Sequence, residues 1–148
     1  MRRAIALIVL MTIGISLNAQ NDREQQIASM RIAFLTKNLK LTPTEAQQFW
    51  PVYNSYNDKV ADLQKEERQM FRELRQRFES IDDGSAQKVL DRHISIQTEK
   101  IQAREKLIVD LKGVIPAKKI LILLKSEEDF KRSIFERLRE RRQNLRRQ

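Results

Sequence analysis

The sequence predicts an all-α fold with four helices arranged as elongated antiparallel hairpins. The 148 residues include only three glycines and three prolines, which is far below ordinary usage. One third of the residues are charged, and apolar residues recur at intervals of three and four along most of the chain. A β-sandwich or an α/β fold would need many more turn residues. The few glycines and prolines therefore mark the joints between long helices.

The first twenty residues have the three-part layout of a secretory signal peptide. Arg2 and Arg3 precede an uncharged run over residues 4–17, and Ala19 offers a small residue at a cleavage point. The run is shorter than the roughly 20 residues that span a bilayer as a helix. We therefore expect residues 1–19 to be removed on export across the cytoplasmic membrane. A retained membrane anchor is the alternative.

A first helix is predicted from Asp22 to about Lys40, with Asn21 or Asp22 as its cap. Its apolar residues share one helical face. They are Ile27, Met30, Phe34 and Leu35, with Ile32 and Leu39 widening the face.

The segment from Leu41 to Glu45 carries the strongest local signal in the chain. Thr42 suits the N-cap, because its hydroxyl can accept a hydrogen bond from an unpaired backbone N–H. Pro43 suits the first helical position, where a missing N–H costs nothing, and Glu45 can bond back to the cap residue. A second helix is therefore predicted from Pro43 to about Ser80.

Pro51 lies inside this second helix and predicts a kink near Phe49 and Trp50. Proline removes one backbone hydrogen bond and clashes with the chain one turn back. Beyond the kink, the apolar residues form a narrow stripe of coiled-coil type. The stripe consists of Val52, Tyr56, Val60, Leu63, Met70, Leu74, Phe78 and Ile81.

A turn at residues 82–85 leads to a third helix, predicted from Ala86 to Lys112. Ser85 is its expected cap, and Gly113 is expected to end it as a C-terminal cap. Its predicted buried stripe is Leu90, Ile94, Gln97, Ile101, Arg104, Ile108 and Leu111. Polar residues within the stripes are expected at wet edges with their ends reaching solvent. They are Glu67, Gln97, Arg104 and Glu127.

Pro116 opens a fourth helix, which is predicted from Ala117 to near the C-terminus. Its stripe is Ile120, Leu123, Leu124, Phe130, Ile134, Leu138 and Leu145. We assign residues 20–135 to a helical domain and residues 136–148 to a basic helix end or tail. Short turns make successive helices antiparallel neighbours. Because the stripes are too narrow to close a broad bundle, we expect a homodimer.

The residue inventory offers little for catalysis or metal binding. The chain has no cysteine, and a single histidine, His93, cannot make a tetrahedral zinc site. Asp82 and Asp83 are adjacent carboxylates, which we interpret as turn residues because calcium binding or acid–base chemistry needs further ligands or a cleft. We therefore expect no enzymatic activity, no metal and no cofactor.

Residues 41–56 read Leu41-Thr42-Pro43-Thr44-Glu45-Ala46-Gln47-Gln48-Phe49-Trp50-Pro51-Val52-Tyr53-Asn54-Ser55-Tyr56. This block resembles the periplasmic Spy/CpxP family, which is named for an LTxxQ motif. It looks most like a branch with an LTPxEAxxFWPVYNxY block, whose members are described as sensors of extracytoplasmic-function sigma factors. The later stretch Ile115-Pro116-Ala117-Lys118-Lys119 also looks like that branch. Glu45 departs from the motif, which has a glutamine there.

The resemblance implies a cradle-shaped, dimeric, all-helical protein of the periplasm. Spy-type members hold non-native client proteins without ATP, and CpxP-type members restrain a sensor kinase of the envelope-stress response. For this chain the resemblance implies an ATP-independent holdase chaperone or a stress-sensing adaptor. Its partners would be non-native or envelope proteins and a membrane sensor protein. The alternative is a regulatory partner of a sigma-factor or sensor-kinase pathway without general chaperone activity.

The motif block also contains the only aromatic cluster of the sequence. Aromatic residues at helical spacing usually fill a core, and the alternative is a partly exposed apolar platform for client chains. The candidate motif residues are Leu41, Thr42, Pro43, Glu45, Phe49, Trp50, Pro51, Tyr53 and Tyr56.

The segment from Lys131 to Gln148 contains eight basic residues against Glu136 and Glu140. One interpretation is a solvated helix end whose charge suits the helix dipole. A second is a surface for anionic envelope components or acidic client segments. A third is nucleic-acid binding, which export would prevent, so we expect no nucleic acid as partner. The candidate basic surface comprises Arg132, Arg137, Arg139, Arg141, Arg142, Arg146 and Arg147.

Overall fold

A computed structural model describes residues 25–146, without the side chain of Arg146. Regular structure in this range is entirely helical, which confirms the predicted all-α fold. The helices are α1 over residues 25–39, α2 over Pro43–Arg77, α3 over Asp83–Leu111 and α4 over Ala117–Arg146. The predicted signal peptide, the predicted start of the first helix and Arg147 lie outside the described residues. Within residues 25–146, no helix combines the length and apolarity needed to cross a membrane.

The start of α2 has the predicted capping arrangement. The Glu45 backbone N–H donates to Thr42 Oγ1 at 3.2 Å, and the Thr42 backbone N–H donates to Glu45 Oε2 at 2.7 Å. From Pro43 the helix continues through Pro51 to Arg77. The last turn of the predicted helix is a separate 3-10 helix, Phe78–Ser80. The kink at Pro51 stays a prediction.

The start of α3 differs from the prediction. The N-cap is Asp82, whose Oδ1 accepts from the Ser85 backbone N–H at 2.9 Å, so the helix begins at Asp83 rather than Ala86. Ser85, which we predicted as the cap, instead binds the cap residue Asp82. The Ser85 hydroxyl donates to Asp82 Oδ2 at 2.8 Å. A carboxylate is favoured at this position because it also complements the positive end of the helix dipole. These Ser85 hydrogen bonds, the side-chain one first, lower the pKa of Asp82.

Gly113 is not the left-handed C-terminal cap that we expected. None of the described glycines has a positive φ angle. The end of α3 is closed by tighter backbone bonds instead, because the Lys112 N–H donates to the carbonyls of Ile108 and Val109, each at 3.2 Å. The N–H groups of Val114 and Ile115 then both donate to Leu111 O at 3.0 Å. These bonds engage the terminal carbonyls of Ile108, Val109 and Leu111 without a left-handed residue.

The described residues form two compact units. The first, residues 41–120, contains α2, α3 and the first turn of α4. In this unit Lys59 pairs with Glu99 and Glu66 pairs with Arg92. The residue number of the α3 partner falls as the residue number in α2 rises. This order confirms the predicted antiparallel packing of α2 on α3.

The second unit contains residues 25–40 and 121–146 of the described chain. Here α1 packs antiparallel on α4, since the Phe34 and Phe130 ring centroids lie 5.7 Å apart and Arg137 Nη1 lies 3.4 Å from Met30 Sδ. This pairing joins segments about a hundred residues apart and was not predicted. Its core contains Leu35, Leu39, Leu123 and Phe130.

The predicted buried stripe of α3 is wrong over most of its length. Leu90, Ile94 and Ile101 are 56%, 62% and 60% exposed. The helix is rotated so that a neighbouring row, which includes Ile96 and Leu107, is buried. The predicted α4 stripe fails toward its end, where Leu138 and Leu145 are exposed. The core of the first unit consists of Phe49, Tyr53, Leu63, Ile96, Leu107, Leu111, Ile115 and Ile120.

Candidate binding surfaces

The two sequence segments that carry the resemblance meet at Glu45. Glu45 Oε2 accepts from the Thr42 N–H at 2.7 Å and from Lys119 Nζ at 2.6 Å. The Lys119 and Glu45 side chains are both about one fifth exposed, at 22% and 18%. The hydrogen bond from Lys119, followed by that from the Thr42 backbone, lowers the pKa of Glu45. The cap therefore also holds the first turn of α4 against the first turn of α2.

The aromatic cluster of α2 is divided between core and surface. Phe49 and Tyr53 are fully buried, and their rings stack with centroids 5.4 Å apart. Trp50 meets both of these rings edge-on, at 5.0 and 6.0 Å. Trp50 and Tyr56 are themselves only partly buried. The core interpretation is thus confirmed for Phe49 and Tyr53, and the other two rings retain accessible apolar surface.

A cleft of about 710 Å³ lies between α2 and α3 beside this cluster. Two ion pairs border it, Lys59 with Glu99 at 2.9 Å and, within α3, Lys106 with Asp110 at 2.8 Å. Its apolar lining consists of Pro51, Val52, Tyr56, Ala103 and Leu107. The sequence identified the α2 half of this cleft as part of the motif block. It did not identify the α3 half, because the rotation of α3 depends on tertiary packing.

Arg92 connects the two helices further along the hairpin. Its guanidinium binds Glu66 through two nitrogens, at 2.6 and 2.5 Å, and Glu99 through the third, at 3.0 Å. This arginine lowers the pKa of Glu66, and Lys59 followed by Arg92 lowers that of Glu99. The two carboxylates in turn raise the pKa of Arg92. The cluster is an internal charge network, and its members are engaged with one another.

Two of the polar stripe residues do not reach solvent as we expected. Glu127 is only 9% exposed, and Glu67 is bound within the hairpin. Its Oε2 accepts from Lys100 Nζ at 2.6 Å, and its Oε1 accepts from the Gln97 amide. His93 lies beside it, with a buried Nδ1 that makes no hydrogen bond and is 3.5 Å from Glu67 Oε1. The imidazole meets the Phe71 ring edge-on at 5.5 Å. His93 therefore packs within the hairpin, in agreement with its predicted structural role.

The described arginines of the candidate basic surface are all exposed on α4. They are Arg132, Arg137, Arg139, Arg141 and Arg142. Arg137 and Arg141 border a cleft of about 440 Å³ between α1 and α4, whose apolar lining includes Ile134 and Leu138. Arg132, Arg139 and Arg142 do not line that cleft. The Arg146 side chain and Arg147 lie outside the described structure.

Over residues 25–146, no three His, Cys, Asp or Glu side chains come together in a group that could hold a metal ion. Of the adjacent carboxylates of the turn, Asp82 caps α3 by binding Ser85, and Asp83 is the first residue of that helix. Comparison with protein-family models, with curated proteins and with solved structures finds no match to the chain.

Proposed function

We propose that the chain is an exported envelope protein that holds non-native polypeptides without ATP. The cleft between α2 and α3 is the observation that carries this proposal. Its lining offers accessible apolar side chains such as Pro51 and Val52 to an exposed apolar segment of another chain. Its bordering charges are already paired with one another. The cleft therefore imposes no charge requirement on its occupant, which suits a binder of varied unfolded sequences.

Two features of the sequence support the same proposal. The N-terminal segment has the layout of a cleavable export signal, so we propose the periplasm as the working compartment. The block over residues 41–56 resembles the periplasmic Spy/CpxP family, and its Pro51, Val52 and Tyr56 line the cleft. N-terminal sequencing of the protein recovered from an osmotic-shock fraction measures both export and the cleavage position.

A substitution in the cleft tests the holdase proposal. Ala103→Glu places a carboxylate within the apolar lining of α3. Ala61→Glu, at an exposed position of α2 outside the cleft, is the matched control. We expect the unmodified protein and A61E to suppress light scattering by a urea-diluted client at several-fold excess, and A103E to suppress it much less. Equal suppression by the two variants would place client binding elsewhere, and no suppression by the unmodified protein would overturn the proposal.

The second candidate is an adaptor that regulates a sigma-factor or sensor-kinase pathway without binding general clients. Such a protein would capture one membrane protein in a pull-down and would not suppress aggregation in the assay above.

The homodimer expected from the sequence also stays a prediction. Leu90, Ile94 and Ile101, spaced as in a coiled-coil seam, form the exposed apolar row of α3 that a second copy would cover.

A further inference from the structure

One face of α4 carries a row of arginines with a phenylalanine among them. Arg132, Phe135, Arg139 and Arg142 are separated by three, four and three residues, which places them on one side of the helix. We call these four residues the arginine face. Phe130, which packs on Phe34 of α1, lies nearly opposite the centre of this face at 3.6 residues per turn, Ile134 lies about a third of a turn away, and Leu138 borders the face. The arginine face is therefore distinct from the side that packs on α1.

All four side chains of the arginine face are exposed, and the Phe135 ring is 66% accessible. The ion pairs of the described chain involve neither Arg139 nor Arg142. Two acidic groups lie near Arg132: Asp129, whose carboxylate binds Lys125 Nζ at 2.5 Å, and Glu128, four residues before Arg132, which binds Lys131 Nζ at 3.1 Å. Glu136 borders the face, which still has an excess of positive charge. An anionic partner of matching shape would complement it.

The arrangement favours a lipid surface over an acidic peptide. A guanidinium binds phosphate oxygens with two parallel hydrogen bonds, and the row from Arg132 to Arg142 extends about 15 Å along a straight helix. A planar layer of headgroups offers phosphates along such a line. It also accepts an apolar ring between them, and Phe135 occupies that position between Arg132 and Arg139. An acidic peptide would leave the exposed ring without a matching environment.

We propose that the arginine face docks the protein on the headgroup phosphates of an anionic phospholipid membrane. This docking does not depend on client binding, because the face and the cleft between α2 and α3 belong to different units of the chain. Membrane docking and client binding are therefore tested by separate experiments, and either proposal can fail without the other.

Vesicle co-sedimentation of the full chain tests the proposal. We compare vesicles of phosphatidylcholine and phosphatidylglycerol with vesicles of phosphatidylcholine alone, over a range of salt. The protein is expected to bind the anionic vesicles more tightly and to lose affinity as salt rises. The triple variant R132Q/R139Q/R142Q is expected to lose about 100-fold in affinity, which is about fivefold per arginine. Each protein is also measured without residues 1–19, because the apolar segment over residues 4–17 of the full chain would bind neutral and anionic vesicles alike.

The matched control is K65Q/R72Q/K88Q, which removes the same charge from exposed positions of α2 and α3. This control is expected to keep the wild-type affinity. Phe135→Ser is expected to lower the binding that persists at high salt, when electrostatic attraction is screened. The single variant R139Q, expected to lose about fivefold, keeps the test valid if the triple variant does not fold. Equal losses in both triple variants, binding to neutral vesicles as tight as to anionic ones, or tighter binding to polyglutamate than to vesicles would each overturn the proposal.

Discussion

A single carboxylate, that of Glu45, links local and long-range structure. It completes the capping box with Thr42, and it binds Lys119 from the start of α4. The sequence predicted the first contact, because the residues that form a capping box lie within one helical turn. It did not predict the second, because Lys119 is 74 residues away. The LTxxQ motif has glutamine at this position. Glutamine could form the capping box, but it could not form the ion pair with Lys119.

Replacing Glu45 by glutamine is therefore expected to remove the ion pair and keep the cap. The pKa of Glu45 is lowered by Lys119 and Thr42, so its charged form stabilises the folded state. That stabilisation is present above the ordinary glutamate pKa of about 4.3 and is lost as the pH falls through the lowered value. The difference in the free energy of unfolding between the wild type and E45Q is measured by urea denaturation. It should shrink as the pH falls from the ordinary glutamate pKa through the lowered pKa of Glu45. The control E105Q, at an exposed position of α3, should show a much flatter difference, and an E45Q difference independent of pH would contradict the assignment.

The helices were predicted best where their determinants are local. Thr42, Pro43 and Glu45 define the start of α2 within four residues, and the structure begins the helix there. The rotation of α3 was wrong because its sequence has two neighbouring apolar rows. Both rows contain polar side chains, Gln97 and Arg104 in the predicted row and His93 and Lys100 in the other, so periodicity alone does not decide which row is buried.

The structure buries that second row of α3 because its polar members find partners on α2. His93 packs against Phe71, and Lys100 binds Glu67. A buried polar group is tolerated when it is paired, and such pairing depends on which helices meet. The α3 half of the cleft could not be predicted for the same reason, because Ala103 and Leu107 reach it only through this rotation.

The end of α3 provides a test at the scale of the element. Gly113 does not have a positive φ angle, and a Cβ added there would have no atom within 4 Å. Alanine should therefore stabilise the protein by about 0.4–1 kcal/mol, because it restricts the unfolded chain without straining the folded one. Gly84→Ala is the comparison, since its Cβ would lie 3.3 Å from Asp82 Oδ1, an atom of the α3 cap. Urea denaturation should rank G113A above both the wild type and G84A, and destabilisation by G113A would restore the left-handed cap that we first expected.

At the scale of the whole molecule, the chain closes one of its units by pairing α1 with α4. Periodicity identifies an apolar face on each helix and does not say which faces meet. The expectation that successive helices pair was correct for α2 and α3, which a short turn connects. It provided no basis for predicting the contact of Phe34 with Phe130, because the segments that hold these rings are far apart in sequence.

Replacing Phe130 should destabilise the unit formed by α1 and α4 more than the unit formed by α2 and α3. It is 5% exposed, its ring centroid lies 5.7 Å from that of Phe34, and Arg31 Cζ lies 5.6 Å from it. Phe130→Ala should cost about 3–5 kcal/mol, because it leaves a cavity between α1 and α4. Phe135→Ala, five residues further along the same helix and 66% exposed, should change stability by less than about 0.5 kcal/mol.

Hydrogen exchange measured by mass spectrometry locates the loss. In F130A, exchange should accelerate over residues 25–40 and 121–146, with a smaller change over residues 41–120, because the two units have separate cores. Acceleration spread evenly over both units would mean that they unfold as one cooperative body. Equal destabilisation by F130A and F135A would contradict the assignment of Phe130 to the buried side of α4 and of Phe135 to its exposed side.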